Sequence, residues 1–295
     1  MKRKLITIFG LLTAVMLLAL AGCIPAVEQT REVTGSFDVT GLVDLDVMSS
    51  NGTITVRGVP GQTTVEISAT LRSRGSTRGE ALARVSQIQI EMIHDGDHVV
   101  LAYRSQEHPL DVRMWSGVDF DVTVPVGTDI EAATSNGRIE VDDVEGILQL
   151  DTSNGAIVVA DATGEIDAGT SNGRIEIERF QGTLEADTSN GRIQMENIEG
   201  VVDAQTSNGS IAFSGLLIDG IDHRMVTSNG RIDLAIRSDA SLNIVAETSN
   251  SSIVSTLPLV GDTSGQAWNA ALNPPAGGTL TLRTSNGTIE MHSIL

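Results

Sequence analysis

The chain has 295 residues, 40% hydrophobic, 3% aromatic and 19% charged, with 30 glycines, 7 prolines and one cysteine, a balance that excludes a collagen-like chain, extended disorder and a disulfide framework. Nineteen basic against 38 acidic residues give a formal charge of −19, a poor surface for the counterion release that drives nucleic-acid binding, so no nucleic-acid partner is expected.

Lys2, Arg3 and Lys4 precede an apolar run from Leu5 to Ala21, the basic-then-apolar layout of an export signal. The run ends in Leu20-Ala21-Gly22-Cys23, which resembles the bacterial lipoprotein signal. That resemblance implies removal of residues 1–22, lipid attachment at Cys23 and a membrane as partner through that lipid. The Ile24 after it resembles lipoproteins sent onward to an outer membrane. Residues 23–34 read as a polar tether.

Residues 35–130 read as an N-terminal β region that caps the rest of the chain. Thr64–Leu71 alternates as a strand, Arg78–Arg84 is compatible with a short helix, and Val85–Ile93 with His98–Tyr103 reads as a hairpin turning at Asp95-Gly96. Val118–Val124 is a further strand. Tyr103 and Trp115 flank a polar loop, Ser105–Gly117, readable as a contact tip or a packed lid.

From residue 131 to 295 a repeat dominates. Thr-Ser-Asn-Gly-Arg-Ile or a close variant recurs with asparagines at 136, 154, 172, 190, 208, 229, 250 and 286, after an early copy at Asn51; the steps from Asn136 are 18, 18, 18, 18, 21, 21 and 36. Apolar residues stand six and four before the asparagines, as in Leu148 and Leu150, Asn229 with His223 six before it excepted, and an isoleucine stands three after in all nine copies. The alternation changes parity at Asn-Gly, which predicts a corner there through easy access to positive φ. Asn-Gly is also a hairpin signal, so an antiparallel meander competes. A fixed coil length that puts like residues over like favours a β-solenoid of stacked 18-residue coils. The parity points the asparagines inward, where an amide ladder, each donating to the next coil, removes the cost of burial. Ser251, in place of glycine, is expected to strain or open its corner, and Pro258–Gly278 to protrude as a loop.

Repeated Ser-Asn-Gly-x-Ile after Leu-x-(Ala/Leu)-x-Thr, an early copy followed by a helix-hairpin insert, and Val-Pro before the array together resemble the bacterial "putative adhesin" family of unknown function over residues 36–294. The resemblance implies an all-β solenoid on exported or membrane-associated proteins, with adhesion or envelope-stress roles, and transfers no site.

Some parallel β-helices cleave glycans with paired acids. Asp151 and Asp187 precede two repeat copies, but Ala133, Gly169, Gln205 and Glu247 take that place elsewhere, so no coil is singled out and no enzyme is expected. The Gly-Gly-x-Gly-x-Asp turns of calcium-binding β-rolls are absent. The histidines at 94, 98, 108, 223 and 292 lack ligand spacing, so neither metal nor cofactor is expected. Arg138, Arg174, Arg192 and Arg231, each two after an asparagine, read first as surface ion pairs with the acidic or amide side chains two further on, and second as a stripe for an anionic glycan or a partner. The sequence therefore predicts a lipid-anchored extracytoplasmic display or binding protein acting on envelope glycan or a surface protein. The alternative is a structural or envelope-stress-sensing component working through a membrane partner.

Overall fold

The computed structural model describes residues 27–104 and 116–294; the signal segment, Cys23, His108 and Trp115 lie outside them. Among the described residues are 22 strands and one helix, and no described helix is long and apolar enough to cross a membrane.

The repeat builds a parallel array, not a meander. Ile157–Thr170 pairs with Ile175–Thr188, and that strand with Ile193–Thr206, each offset by one coil, so that Ile157 faces Ile175 and Thr170 faces Thr188. Each coil turns at Thr-Ser-Asn-Gly, runs as a strand from the isoleucine, bends, and returns as a second strand that ends on the next threonine. The result is two facing walls over one core. Ile175, Ile177, Leu184 and Ala186 are at most 1% exposed, as period-two alternation against a packed interior demands.

The bend between the walls is a second corner that the apolar pattern does not announce. It falls on Asp143, Asp161, Arg179 and Asn197, seven after successive asparagines, with φ of 58°, 52°, 54° and 57°. Asp and Asn tolerate the left-handed region and Arg179 is the unusual occupant. At the Asn-Gly corner the expected reason for glycine is wrong. None of the repeat's Asn-Gly glycines has positive φ. A Cβ on Gly173 would instead lie 1.5 Å from the carbonyl oxygen of Gly155 in the neighbouring coil, and the same collision recurs at Gly155 and Gly191. Close stacking of backbone on backbone requires the glycine.

Coils follow chain order from Asn136 to Asn229 but not at the ends. Strand Gly278–Thr284 lies between His223–Thr227 and Leu242–Thr248, and Ile289–Ile294 lies between Ile232–Arg237 and Ile253–Ser255. The final coil is therefore slotted inside the penultimate one. The beginning mirrors this: Val43–Met48 sits between His98–Arg104 and Thr128–Thr134, and Ile54–Val59 between Ser116–Pro125 and Ile139–Asp142. Residues expected to protrude between Pro258 and Gly278 instead form antiparallel strands Leu259–Asp262 and Ala267–Leu272, the latter closing the open edge of Leu242–Thr248. Covering an exposed parallel edge in this way prevents unwanted pairing.

The other end is closed by Thr64–Gly75, antiparallel to Ser116–Pro125, with Val27–Asp38 antiparallel outside it. Residues 27–34, expected as tether, are therefore strand; an edge position with one wet face explains their polarity. Gln89–Asp95 pairs with His98–Arg104. Helix Arg78–Gln87 plugs the core between the walls through Ala81 and Val85, both buried. Thr77 caps it by accepting from the Glu80 amide at 3.2 Å, while the Glu80 carboxylate accepts from the Ser76 amide at 2.9 Å, a reciprocal arrangement of the capping-box kind. Val85 thus belongs to the helix, and the hairpin begins at Gln89.

Candidate functional site

The Asn-Gly corners stack into three polar columns. The asparagines form an uninterrupted amide ladder: Asn136 donates to Asn51, and Asn154, Asn172, Asn190, Asn208 and Asn229 each donate to the one before, at 2.7–2.8 Å. The order then tracks the slotted coil, Asn286 donating to Asn229 at 2.6 Å and Asn250 to Asn286 at 2.7 Å. Two features differ from expectation. The amides of Asn172, Asn190 and Asn208 also face the serine carbonyl of the preceding coil at 3.4–3.5 Å, so each asparagine donates backward, not forward. The side chains are also exposed, because the corner has turned before the asparagine is reached. The Ser251 corner is not opened: Asn250 keeps its place in the ladder, and the Ser251 hydroxyl lies 3.0 Å from that of Thr288.

The buried polar column is threonine. Thr152, Thr170, Thr188 and Thr206 are 6, 8, 7 and 2% exposed. The Thr188 hydroxyl donates to the Gly173 carbonyl at 3.1 Å and accepts from the Gly191 amide at 3.1 Å; Thr152, Thr170 and Thr206 repeat the pattern. Each threonine therefore ties its own corner to the preceding coil.

Serines form the outer column and, with the residues three before each asparagine, line a shallow groove of about 660 Å³ along the rod, from Met48 and Ser49 to Ser207. Its wall carries Ala133, Asp151, Gly169, Asp187 and Gln205 in successive coils, so two carboxylates alternate with small residues. The same wall bears Glu165, Asp167, Glu185 and Asp203. Partial desolvation and then Asp167 push the Asp151 carboxyl above the usual carboxylate range; desolvation, then Asp203 and Asp167, do the same at Asp187. Glu185 is raised by desolvation and four neighbouring acids. Arg224 answers part of this charge, 3.2 Å from Asp203 and 2.8 Å from the Gln205 amide oxygen. Hydroxyls, amides and carboxylates over a small-residue floor suit a polar, uncharged or cationic ligand lying along the rod. The sequence held the signal for this groove in the column three before each asparagine; what it lacked was the depth created by the corner.

The arginine stripe lies on the opposite wall. Arg138 is 3.4 Å from Glu140, Arg174 is 2.7 Å from Glu176, and Arg231 pairs with Asp233 and, at 3.6 Å, with Glu290. Arg192 is exposed and has no ion-pair partner among the described residues, its counterpart being Gln194. Ala156 and Ser210 interrupt the stripe between coils.

Asp142, Asp143 and Asp161 bring carboxylate oxygens within 4.8 Å of one another. Two arginines already meet the group: Arg57 approaches Asp142 at 3.8 Å, and Arg179 grips Asp161 through two contacts of 2.7 Å. The histidines are dispersed. His94 stacks on Phe37 with centroids 4.8 Å apart, His98 meets Asp44 at 2.8 Å, His292 meets Asp233 at 3.4 Å, and His223 is buried.

The model of the family described as "Toastrack DUF4097" matches residues 38–292, so the chain belongs to that family. A search of curated proteins finds no significant match. Solved structures similar to it include a "putative adhesin" from Bacteroides fragilis (11% identity, 90% of this chain and 97% of that one, TM-score 0.42). Another carries the same name and comes from Parabacteroides distasonis (10%, 88% and 97%, 0.36). A "putative cell adhesion protein" from Clostridium sporogenes is also similar (8%, 90% and 100%, 0.24).

Proposed function

We propose that this Toastrack-family chain is a lipid-anchored, extracytoplasmic rod that presents a repetitive polar face for binding at the cell envelope, an adhesin-like role without catalysis. The observation that carries the reading is the groove: one surface, repeated coil after coil, whose hydroxyls recur at the strand spacing of about 4.8 Å and whose two carboxylates, Asp151 and Asp187, stand two coils apart. A ligand that is itself a regular polymer gains from such a surface, because each added contact is made at high effective concentration. Envelope glycan rich in hydroxyl or amino groups fits this chemistry, as does an extended surface protein. Support for the anchor comes from Leu20-Ala21-Gly22-Cys23 behind a basic and apolar leader.

Capture of envelope fractions by the full chain tests the reading. The double variant Asp151→Asn with Asp187→Asn should lose most of the captured material, while replacing Arg138, Arg174, Arg192 and Arg231 together by Gln should leave it. The reverse pattern would move the binding face to the opposite wall, and equal capture by all three would remove it. In the same cells Cys23→Ser should shift the protein from membrane to soluble fractions.

A further inference from the structure

We infer that the rod stands on its helix-capped end, with the outer face of helix Arg78–Gln87 seated on the anionic headgroups of the membrane that holds its lipid; the inference rests on the Cys23 anchor proposed above. Chain length sets the first constraint. Strand Val27–Asp38 begins four residues after Cys23, so Val27 lies at most about 14 Å from the lipidated residue. That strand is the outermost of its wall, and its first residue pairs with Gly75. A Cβ on Gly75 would sit 2.7 Å from the Ala81 amide nitrogen, which places the helix beside the point where the leash arrives.

Charge sets the second constraint. Around this point Arg72, Arg74 and Arg84 are met by Asp119, Glu28 and Glu80 and Arg31 reaches the Ile88 carbonyl at 2.8 Å, so this end is near charge balance on a chain whose formal charge is −19. Arg78 is exposed and has no ion-pair partner among the described residues. It shares the outward stripe of the helix with Leu82, which is 45% exposed, and Ser86, while Ala81 and Val85 face the core. An arginine beside an exposed leucine suits a headgroup boundary. Lying flat on its groove wall would press Glu165, Asp167, Glu185, Asp187 and Asp203 against like charge. The opposite wall offers no cationic face either, since Arg138, Arg174 and Arg231 are paired with Glu140, Glu176 and Asp233, so the near-neutral tip with its exposed Arg78 favours an upright rod, whose far end, about ten coils of about 4.8 Å away, stands roughly 50 Å from the surface.

Site-directed spin labelling of the full lipidated chain in vesicles tests this. With Cys23 blocked by its thioether, Ser86→Cys and Ser264→Cys each supply one reactive thiol, at the helix tip and in the far hairpin. In vesicles containing phosphatidylglycerol, a nickel-chelating lipid should relax the label at 86 and leave that at 264 unaffected. Arg78→Gln should lower the tip-down population about fivefold, the factor for one arginine near an anionic surface. Equal relaxation at the two positions, or identical behaviour of Arg78→Gln and wild type, would overturn the inference. Mass spectrometry separates the two levels: a modified Cys23 with equal relaxation removes only the upright pose, whereas an unmodified Cys23 removes the anchor and the pose together.

Discussion

At the residue scale the repeat distributes its work unevenly. The asparagine is conspicuous in the sequence, but its amide is exposed and competes with water, so each ladder bond contributes little. The threonine two positions earlier is buried and satisfies a glycine amide and a glycine carbonyl of different coils. Removing it strands both groups, at roughly 1–3 kcal/mol. Thr188→Val should therefore destabilise by about that amount and Asn190→Ala by about 0.5–1 kcal/mol, read from denaturant midpoints at unchanged slope; equal costs would reverse the assignment. His223 gives the rod a buried titratable group. It is 2% exposed, its Nδ1 accepts from the Val202 amide at 3.3 Å and its Nε2 donates to the Ile218 carbonyl at 2.9 Å, a pattern only the neutral ring can satisfy. Burial holds its pKa below the ordinary value. Its stabilisation is then complete above about pH 6.5, the unfolded value, and declines as pH falls toward the folded one. His223→Gln should flatten the loss of stability between pH 7 and pH 5, and an unchanged profile would absolve this residue.

At the scale of the coil, apolar parity placed one corner and the parallel stacking correctly, since Ile157 over Ile175 follows from an 18-residue period alone. It missed the second corner, because Asp143, Asp161, Arg179 and Asn197 share a backbone conformation and not a residue type. It also assigned the Asn-Gly glycines to φ when steric contact between coils was the cause. The acidic columns have a consequence of opposite sign to that of His223. Carboxyls raised in the fold favour the native state at low pH, and the benefit is lost as pH rises through their folded values. Asp187→Asn should therefore stabilise slightly at pH 7, by a few tenths of a kcal/mol for an exposed group, with the gain gone below pH 4. A gain that persists in acid would mean packing and not repulsion.

At the scale of the molecule, chain order and stacking order part company at both ends, which no periodicity could reveal, because coils 242–255 and 278–294 carry the same motif and compete for the same place. The slotted arrangement makes the last residues a shared partner for two coils. Ending the chain after Gly277 should therefore abolish amide-exchange protection across 242–272 as well, whereas simple serial stacking would leave those residues protected. The same continuity defines the binding face, since the groove exists only where corner succeeds corner. Amide exchange of the full chain saturated with its captured envelope fraction reads this most directly. Slowed exchange should run through consecutive corners from Ser135 to Ser207, one coil after another along the rod. Slowing confined to a single loop or to the end hairpin, with these corners unchanged, would contradict a binding face made by the repeat.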